Sequence, residues 1–284
     1  MSYYNRFIIQ KKLEEFIEED CNYADISSSV VPDYAETSAK ISAKSTGYIS
    51  GLEELKMLFE LLNVSIALKK EDGDAYSKGD VIAELQGKIR DILLGERVGL
   101  NLLTHMSAIT STTKKFVEII KDSGKDVKIA CTRKTTPGLR IFEKKAVEIG
   151  GGDPHRFSLD EVLLKDTHLR YFKGDLKKLL SEVKKIASFT KKIEIEIEKM
   201  EDILIAAKNG ADIIMLDNFT PDQVMDAITL LKQNNLRDKK IIEISGGIHP
   251  ENIVDYLLSE PDVISSGQLT QFPSEKADFS LRFD

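Results

Sequence analysis

Four short polar stretches each close an apolar run in the last two thirds of the sequence: Glu194-Ile195-Glu196, Leu216-Asp217-Asn218, Ser245-Gly246-Gly247 and Ser265-Ser266-Gly267. Glu196 and Asp217 are carboxylates, the oxygen donors that a hard divalent cation takes. Ser245-Gly246-Gly247 and Ser266-Gly267 offer peptide N–H groups that can cradle a phosphate, because glycine lets the backbone approach an anion closely. Carboxylates beside a phosphate cradle suggest a metal-bound, phosphorylated substrate. A second cluster, Thr132 to Arg140, packs three cations and three hydroxyls into nine residues. Such a loop on an acidic chain suits capture of an anion, with Arg133 gripping a carboxylate through a forked pair of hydrogen bonds. Asp153-Pro154-His155-Arg156 and Lys165-Asp166-Thr167-His168 add two histidines beside cations, whereas His105, mid-helix, and His249, before Pro250, read as structural or surface groups.

The elements that must position these groups are legible in the pattern around them. The runs Ile193 to Ile197, Asp212 to Leu216, Lys240 to Ile244 and Asp262 to Ile264 are short and β-branched, and read as parallel strands buried on both faces. Val127 to Ala130 and Val162 to Leu164 read as earlier strands of the same kind. Helical segments alternate with them: Met200 to Asn209 stops at Gly210, while Pro221 and Pro250 open two more, as Pro does at a first helical position. Repeated β-α units imply a barrel whose functional groups sit on loops at the carboxyl ends of the strands. All four polar stretches and the basic loop fall at such ends.

The first hundred residues differ in texture. Ile9, Leu13, Phe16 and Ile17 have helical spacing, Ala39 to Ile49 alternates, Leu52 to Leu62 is helical, and Lys78 to Leu85 is a turn leading into a strand. This part reads as an α+β domain. A long helical pattern from Gly95 to about Lys121 leads into the barrel. The final segment, Ala277 to Phe283, alternates Phe279, Leu281 and Phe283 as a strand that leaves the barrel.

Composition limits the function classes. The chain has 284 residues, 42% hydrophobic and 31% charged, enough for a substantial core. A net charge of −7 argues against a nucleic-acid partner, which asks for a basic stripe. No apolar run reaches the roughly 20 residues that span a bilayer, and Met1 to Arg6 lacks a secretory apolar core, so a cytoplasmic protein without membrane contact is expected. Cys21 and Cys131 are far apart and form no paired-ligand motif, which argues against a zinc site or disulfide framework.

With these residues assembled, the chain resembles the quinolinate phosphoribosyltransferases from about Asp20 to its end. The likeness is carried by Gly95-Glu96-Arg97, Thr132 to Arg140, Gly150-Gly151-Gly152 with His155-Arg156, Glu194-Ile195-Glu196, Met215-Leu216-Asp217-Asn218 and Ser245-Gly246-Gly247-Ile248. The resemblance implies an α/β sandwich over 1–103 to which the tail 272–284 returns, an incomplete α/β barrel over 104–271, and a homodimer with shared active sites, leaving higher assembly open. It implies transfer of phosphoribose from phosphoribosyl pyrophosphate to quinolinate with Mg²⁺, giving nicotinate mononucleotide, pyrophosphate and CO₂ in NAD biosynthesis. It places Arg97 of a neighbouring subunit, Thr132, Arg133, Lys134, His155, Arg156 and Lys165 around quinolinate. Glu196, Asp217 and Lys134 become the catalytic residues, with Glu196 and Asp217 facing the ribose and its Mg²⁺. Ser245, Gly246, Gly247, Ser266 and Gly267 hold the phosphate. Thr167 and Gln271 stand where the family has Asn and His. Rival readings are a nicotinate phosphoribosyltransferase, the relative found beside molybdate transporters, or a non-catalytic anion-binding homologue. Four cations, Arg97, Arg133, Arg156 and Lys165, favour a substrate with two carboxylates, and a mere phosphate binder gains nothing from Glu196 and Asp217.

Overall fold

The computed structural model describes residues 4–284. In chain order its strands are β1 Glu36–Ala43, β2 Gly47–Tyr48, β3 Ser65–Leu68, β4 Ala75–Tyr76, β5 Val81–Lys88, β6 Lys128–Ala130, β7 Val162–Leu164, β8 Ile193–Ile197, β9 Ile213–Asp217, β10 Ile241–Ser245, β11 Val263–Ser265 and β12 Phe279–Phe283. They fall into two compact units. One takes in the chain up to Lys114, Thr135–Gly151 and Leu269–Asp284; the other comprises Lys115–Lys134 and Gly152–Gln268.

The first unit is built on a four-stranded antiparallel sheet in the order β12-β1-β5-β3. Ala39, Ile41 and Ala43 alternate inward along β1, as period-2 patterning requires of a half-buried strand. They meet Leu55 and Phe59 of the helix Leu52–Leu61, Ile92, Leu100 and Leu103 of the helix Ile89–Asp122, and Phe279 of β12 in one apolar core. β12 is paired to β1 from Ala39 opposite Phe283 to Ala43 opposite Phe279, so the C-terminal alternation joins this sheet. The long helix begins at Ile89, six residues before the Gly95 start read from the sequence. Gly95 is interior, and a β-carbon there would lie 2.8 Å from a ring carbon of Phe59. Close helix packing, not a helix start, explains this glycine.

The second unit is a six-stranded parallel sheet, β6-β11-β10-β9-β8-β7, with helices between successive strands. This is an incomplete TIM-like barrel. Met200–Asn209 ends at Gly210, and Pro221–Gln233 starts with a reciprocal cap between Thr220 and Gln223. After β10 the helix starts at Ile253, and Pro250 lies in the preceding turn, where its fixed φ also fits.

The strands are not apolar on both faces. On one face Ile195, Ile214, Leu216, Ile242, Ile244 and Ile264 are fully buried. The other face carries Glu194, Glu196, Asp217, Glu243, Ser245 and Ser265, aligned by a register that sets Glu196 and Glu243 both opposite Met215. Because successive side chains alternate sides, the aliphatic set covers one face and leaves the polar set in phase on the other. No helix among the described residues is long and apolar enough to cross a membrane.

Candidate active site

The polar face ends at the carboxyl edge of the sheet in two carboxylates. Glu196 sits one residue before the end of β8 and Asp217 closes β9, both half-buried. Their carboxyls are near neighbours that act on each other's charge. Burial holds both above the ordinary carboxylate range, and mutual repulsion adds to this at Glu196; Lys165 pulls Glu196 down, and Lys134 then Lys165 pull Asp217 down. Lys165 Nζ lies 3.9 Å from Glu196 Oε2. Two crowded carboxyls, drawn to a proton by burial, form an oxygen-only donor set of the kind Mg²⁺ takes.

Beside Asp217 the loop after β10 supplies backbone groups. Asn218 N–H donates to Ser245 O at 2.8 Å, and Asn218 Nδ2 donates to Asp217 Oδ2 at 2.7 Å. Gly246 has φ +100°, and a β-carbon there would lie 2.2 Å from Asn218 Oδ1 and 2.9 Å from Asn218 N. Glycine is therefore demanded both by the torsion and by the close approach of the β9 loop. Gly247 O accepts from Asn252 Nδ2 at 3.0 Å, and the buried Ser266 hydroxyl donates to Ile248 O at 2.7 Å. Ser266 thus ties the loop after β11, with Gly267, to the loop after β10.

The cations gather next to the carboxylates. Thr132 Oγ1 accepts the Lys134 N–H at 3.0 Å, shaping the turn that follows β6 and carries Arg133. Arg156 feels the like charge of Arg133 and the opposite charges of Glu194, Glu161 and Glu196; burial first, then Arg133, lowers its affinity for its proton. Lys165 precedes the helix Asp166–Tyr171, and its N–H is capped by His168 Nδ1 at 2.9 Å. Thr167 is exposed, so its departure from the family pattern leaves that cap intact. Arg133, Arg156, Lys165 and His168 line one cavity of about 950 Å³ that continues over Leu163, Phe172 and Val183.

Thr132, Arg133, Lys134, Arg156, Lys165, Glu196, Asp217, Ser245, Gly246, Gly247, Ser266 and Gly267 all belong to the barrel unit. Arg97 belongs to the other unit, where its side chain is 66% exposed and its guanidinium pairs with Glu96 at 2.9 Å. His155, which the resemblance sets in the quinolinate pocket, belongs to the barrel unit as well. Its Nδ1 accepts the Arg156 N–H and its Nε2 faces Glu243, so in this geometry its ring nitrogens address the protein. His105, read as structural, pairs with the buried Glu143 at 2.9 Å, and Glu143 also accepts the Thr136 N–H.

Sequence reasoning missed Glu243 and passed over Glu194 as anything beyond part of a motif. Glu194 is 4% exposed and Glu243 3%. Burial, then Glu243, pushes the Glu194 carboxyl up to about 8 against the pull of His155. The available signal was a charged residue in phase with Glu196 or Ser245 inside a strand otherwise made of isoleucine.

Comparison with known proteins places this geometry. The N-terminal domain of quinolinate phosphoribosyl transferase matches residues 25–107 and its C-terminal domain matches 109–282. A probable nicotinate-nucleotide pyrophosphorylase (carboxylating) of Archaeoglobus fulgidus is 45% identical over 261 residues, covering 92% of this chain and 98% of that protein. The human nicotinate-nucleotide pyrophosphorylase (carboxylating) is 35% identical over 274 residues, 95% of this chain and 90% of its own. The crystal structure of NadC from Streptococcus pyogenes superposes with a TM-score of 0.90 at 36% identity, covering all of both chains. With both domains matched in order and the barrel's carboxylates, cations and glycine loop in place, the chain belongs to the quinolinate phosphoribosyltransferase family.

Proposed function

We propose that this protein transfers phosphoribose from phosphoribosyl pyrophosphate to the ring nitrogen of quinolinate and releases CO₂, forming nicotinate mononucleotide and pyrophosphate for NAD synthesis. The observation that carries this reading is the meeting of Arg133, Arg156 and Lys165 with Glu196 and Asp217 at the carboxyl edge of one barrel sheet. Two carboxylates on a planar ring need separate cations. Arg133 and Arg156 supply two forks, with Thr132 and Lys134 framing the first, and Lys165 adds a point charge.

Glu196 and Asp217 face the ribose, where carboxylates stabilise the positive charge that grows as pyrophosphate departs. Their oxygens fit Mg²⁺, which when bound neutralises charge on the leaving pyrophosphate. The glycine loop of Ser245, Gly246 and Gly247, braced by Ser266 and followed by Gly267 on the next loop, holds the 5′-phosphate. Once the pyridine nitrogen is ribosylated it is cationic. The bond from C2 to its carboxylate then breaks with the electron pair held beside that nitrogen, and a proton at C2 completes the product. No covalent nucleophile is required; the residues hold the ring and exclude water.

We further infer a cytoplasmic homodimer in which the exposed Arg97 of one chain completes the site of the other. Mixing Arg97→Ala with Glu196→Ala protein should regenerate activity through hybrid dimers. No recovery despite demonstrated subunit exchange would refute a shared site.

The functional reading itself is tested by offering the purified protein phosphoribosyl pyrophosphate and Mg²⁺ with quinolinate or with nicotinate, and measuring mononucleotide and CO₂. Equal mononucleotide and CO₂ from quinolinate alone is expected; turnover of nicotinate alone, or of neither, would overturn it.

A further inference from the structure

His155 has φ +52°, in the left-handed region that side-chain-bearing residues seldom occupy. Hydrogen bonds at its peptide N–H and at both ring nitrogens help hold it there, and Glu194 Oε1 lies 3.9 Å from the ring Nε2. Its N–H donates to Asp153 Oδ1 at 2.7 Å, its ring Nδ1 accepts the N–H of Arg156 at 2.7 Å, and its ring Nε2 lies 3.3 and 3.2 Å from the two carboxylate oxygens of Glu243. A peptide N–H can be received only by a lone pair, so Nδ1 carries no proton and the ring's proton sits on Nε2, directed at Glu243. Glu243 is itself buried, on β10 two residues before Ser245.

His155, Glu194 and Glu243 bring ligand atoms within 4.8 Å of one another, the composition of a metal centre. The imidazole's lone pair is already occupied by the Arg156 amide, however, which leaves it none to give a cation. What the arrangement controls instead is the backbone at Arg156. That residue stands beside the like charge of Arg133, and its Nη1 donates to Glu161 O at 3.3 Å. Two guanidiniums that repel each other stay aimed at one substrate only if the chain beneath them cannot yield.

We propose that Glu243 is a positioning residue for substrate recognition: by fixing the tautomer and orientation of the His155 ring, it locks the peptide from which Arg156 reaches the quinolinate carboxylate. This rests on the reading of Arg156 as a quinolinate ligand. Glu243 touches no reacting atom, so its loss affects how quinolinate is held and leaves the ribose and phosphate contacts in place.

The test combines kinetics with a direct view of the ring. Glu243→Leu removes the acceptor, and the KM for quinolinate should rise at least about tenfold, with the KM for phosphoribosyl pyrophosphate and the kcat at saturating quinolinate within about threefold of the parent. Glu243→Gln keeps an oxygen that can accept from Nε2, and should recover most of the lost affinity. Nitrogen-15 spectra of histidine-labelled parent protein should show His155 protonated at Nε2 and bare at Nδ1, with a tautomer mixture in Glu243→Leu. An unchanged quinolinate KM in Glu243→Leu, an equal rise for both substrates, a Gln variant as impaired as Leu, or a proton on Nδ1 in the parent would each overturn the proposal. The tautomer is read without turnover, so a parent protein inactive on quinolinate would defeat the functional reading separately, and the spectra would still judge the lock.

Discussion

Gly246→Ala and Gly247→Ala differ by one position and should differ sharply in consequence. Both glycines have positive φ, +100° and +62°. The second value lies in the left-handed region an alanine can enter, and a β-carbon at 247 meets nothing within 4 Å. Gly247→Ala should therefore cost about 1 kcal/mol. At 246 the torsion lies outside that region, and the new carbon would stand 2.2 Å from Asn218 Oδ1 and 2.9 Å from Asn218 N. The side-chain oxygen could swing away, but the amide is held by its 2.8 Å bond to Ser245 O. Backbone strain and overpacking together predict a loss of about 2–5 kcal/mol, with the loop displaced. Urea unfolding measures the first effect. If the variant folds, the second appears as a KM for phosphoribosyl pyrophosphate raised by about tenfold or more with that for quinolinate much less affected. Equal destabilisation by the two substitutions, or a Gly246→Ala protein within about 0.5 kcal/mol of the parent, would show that the close approach to Asn218 does not govern this loop.

Other substitutions probe the rest of the site. Glu196→Ala and Asp217→Ala should each lower kcat by at least about a hundredfold while calorimetry still detects quinolinate binding, and unchanged turnover would remove them from the chemistry. Arg133→Lys keeps the charge and loses the fork, so quinolinate affinity should fall by about 1–3 kcal/mol in the same titration; parent-like affinity would refute bidentate recognition. Glu194, raised from 4.5 to about 8, favours the neutral form in the native protein. The native state therefore binds the proton that the unfolded chain has lost. The resulting stabilisation is full below pH 4.5 and disappears as pH rises towards 8. Glu194→Gln should accordingly gain stability relative to the parent between pH 5 and pH 8, on the order of 3–5 kcal/mol, read from urea unfolding at the two pH values. A difference that does not change with pH would place the Glu194 carboxyl in its ordinary range.

Much of this protein was readable locally. Met200–Asn209 and its stop at Gly210, the Pro221 start, the strands around Ile193, Ile214, Ile242 and Ile264, and the alternation that makes β12 all follow from short-range periodicity and from residues with restricted or permissive φ. The ordered motifs from Gly95-Glu96-Arg97 to Ser245-Gly246-Gly247 sufficed for the family. Gly95 could not be told from a helix start, because its reason is Phe59, distant in sequence. The role of Glu243 was likewise hidden. β10 reads as an apolar run with one charge in it, and only parallel register, Glu243 opposite Met215 and Met215 opposite Glu196, sets that charge on the same face as Glu196 and Asp217. The resemblance set His155 beside quinolinate but was silent on what orients its ring. The fold turned its ring towards Glu243, 88 residues away, through a left-handed torsion that neighbouring residues do not announce. Which elements form is decided by the chain a few residues at a time; which side chains share a buried face is decided by strand register and loop torsions, which couple residues far apart in sequence.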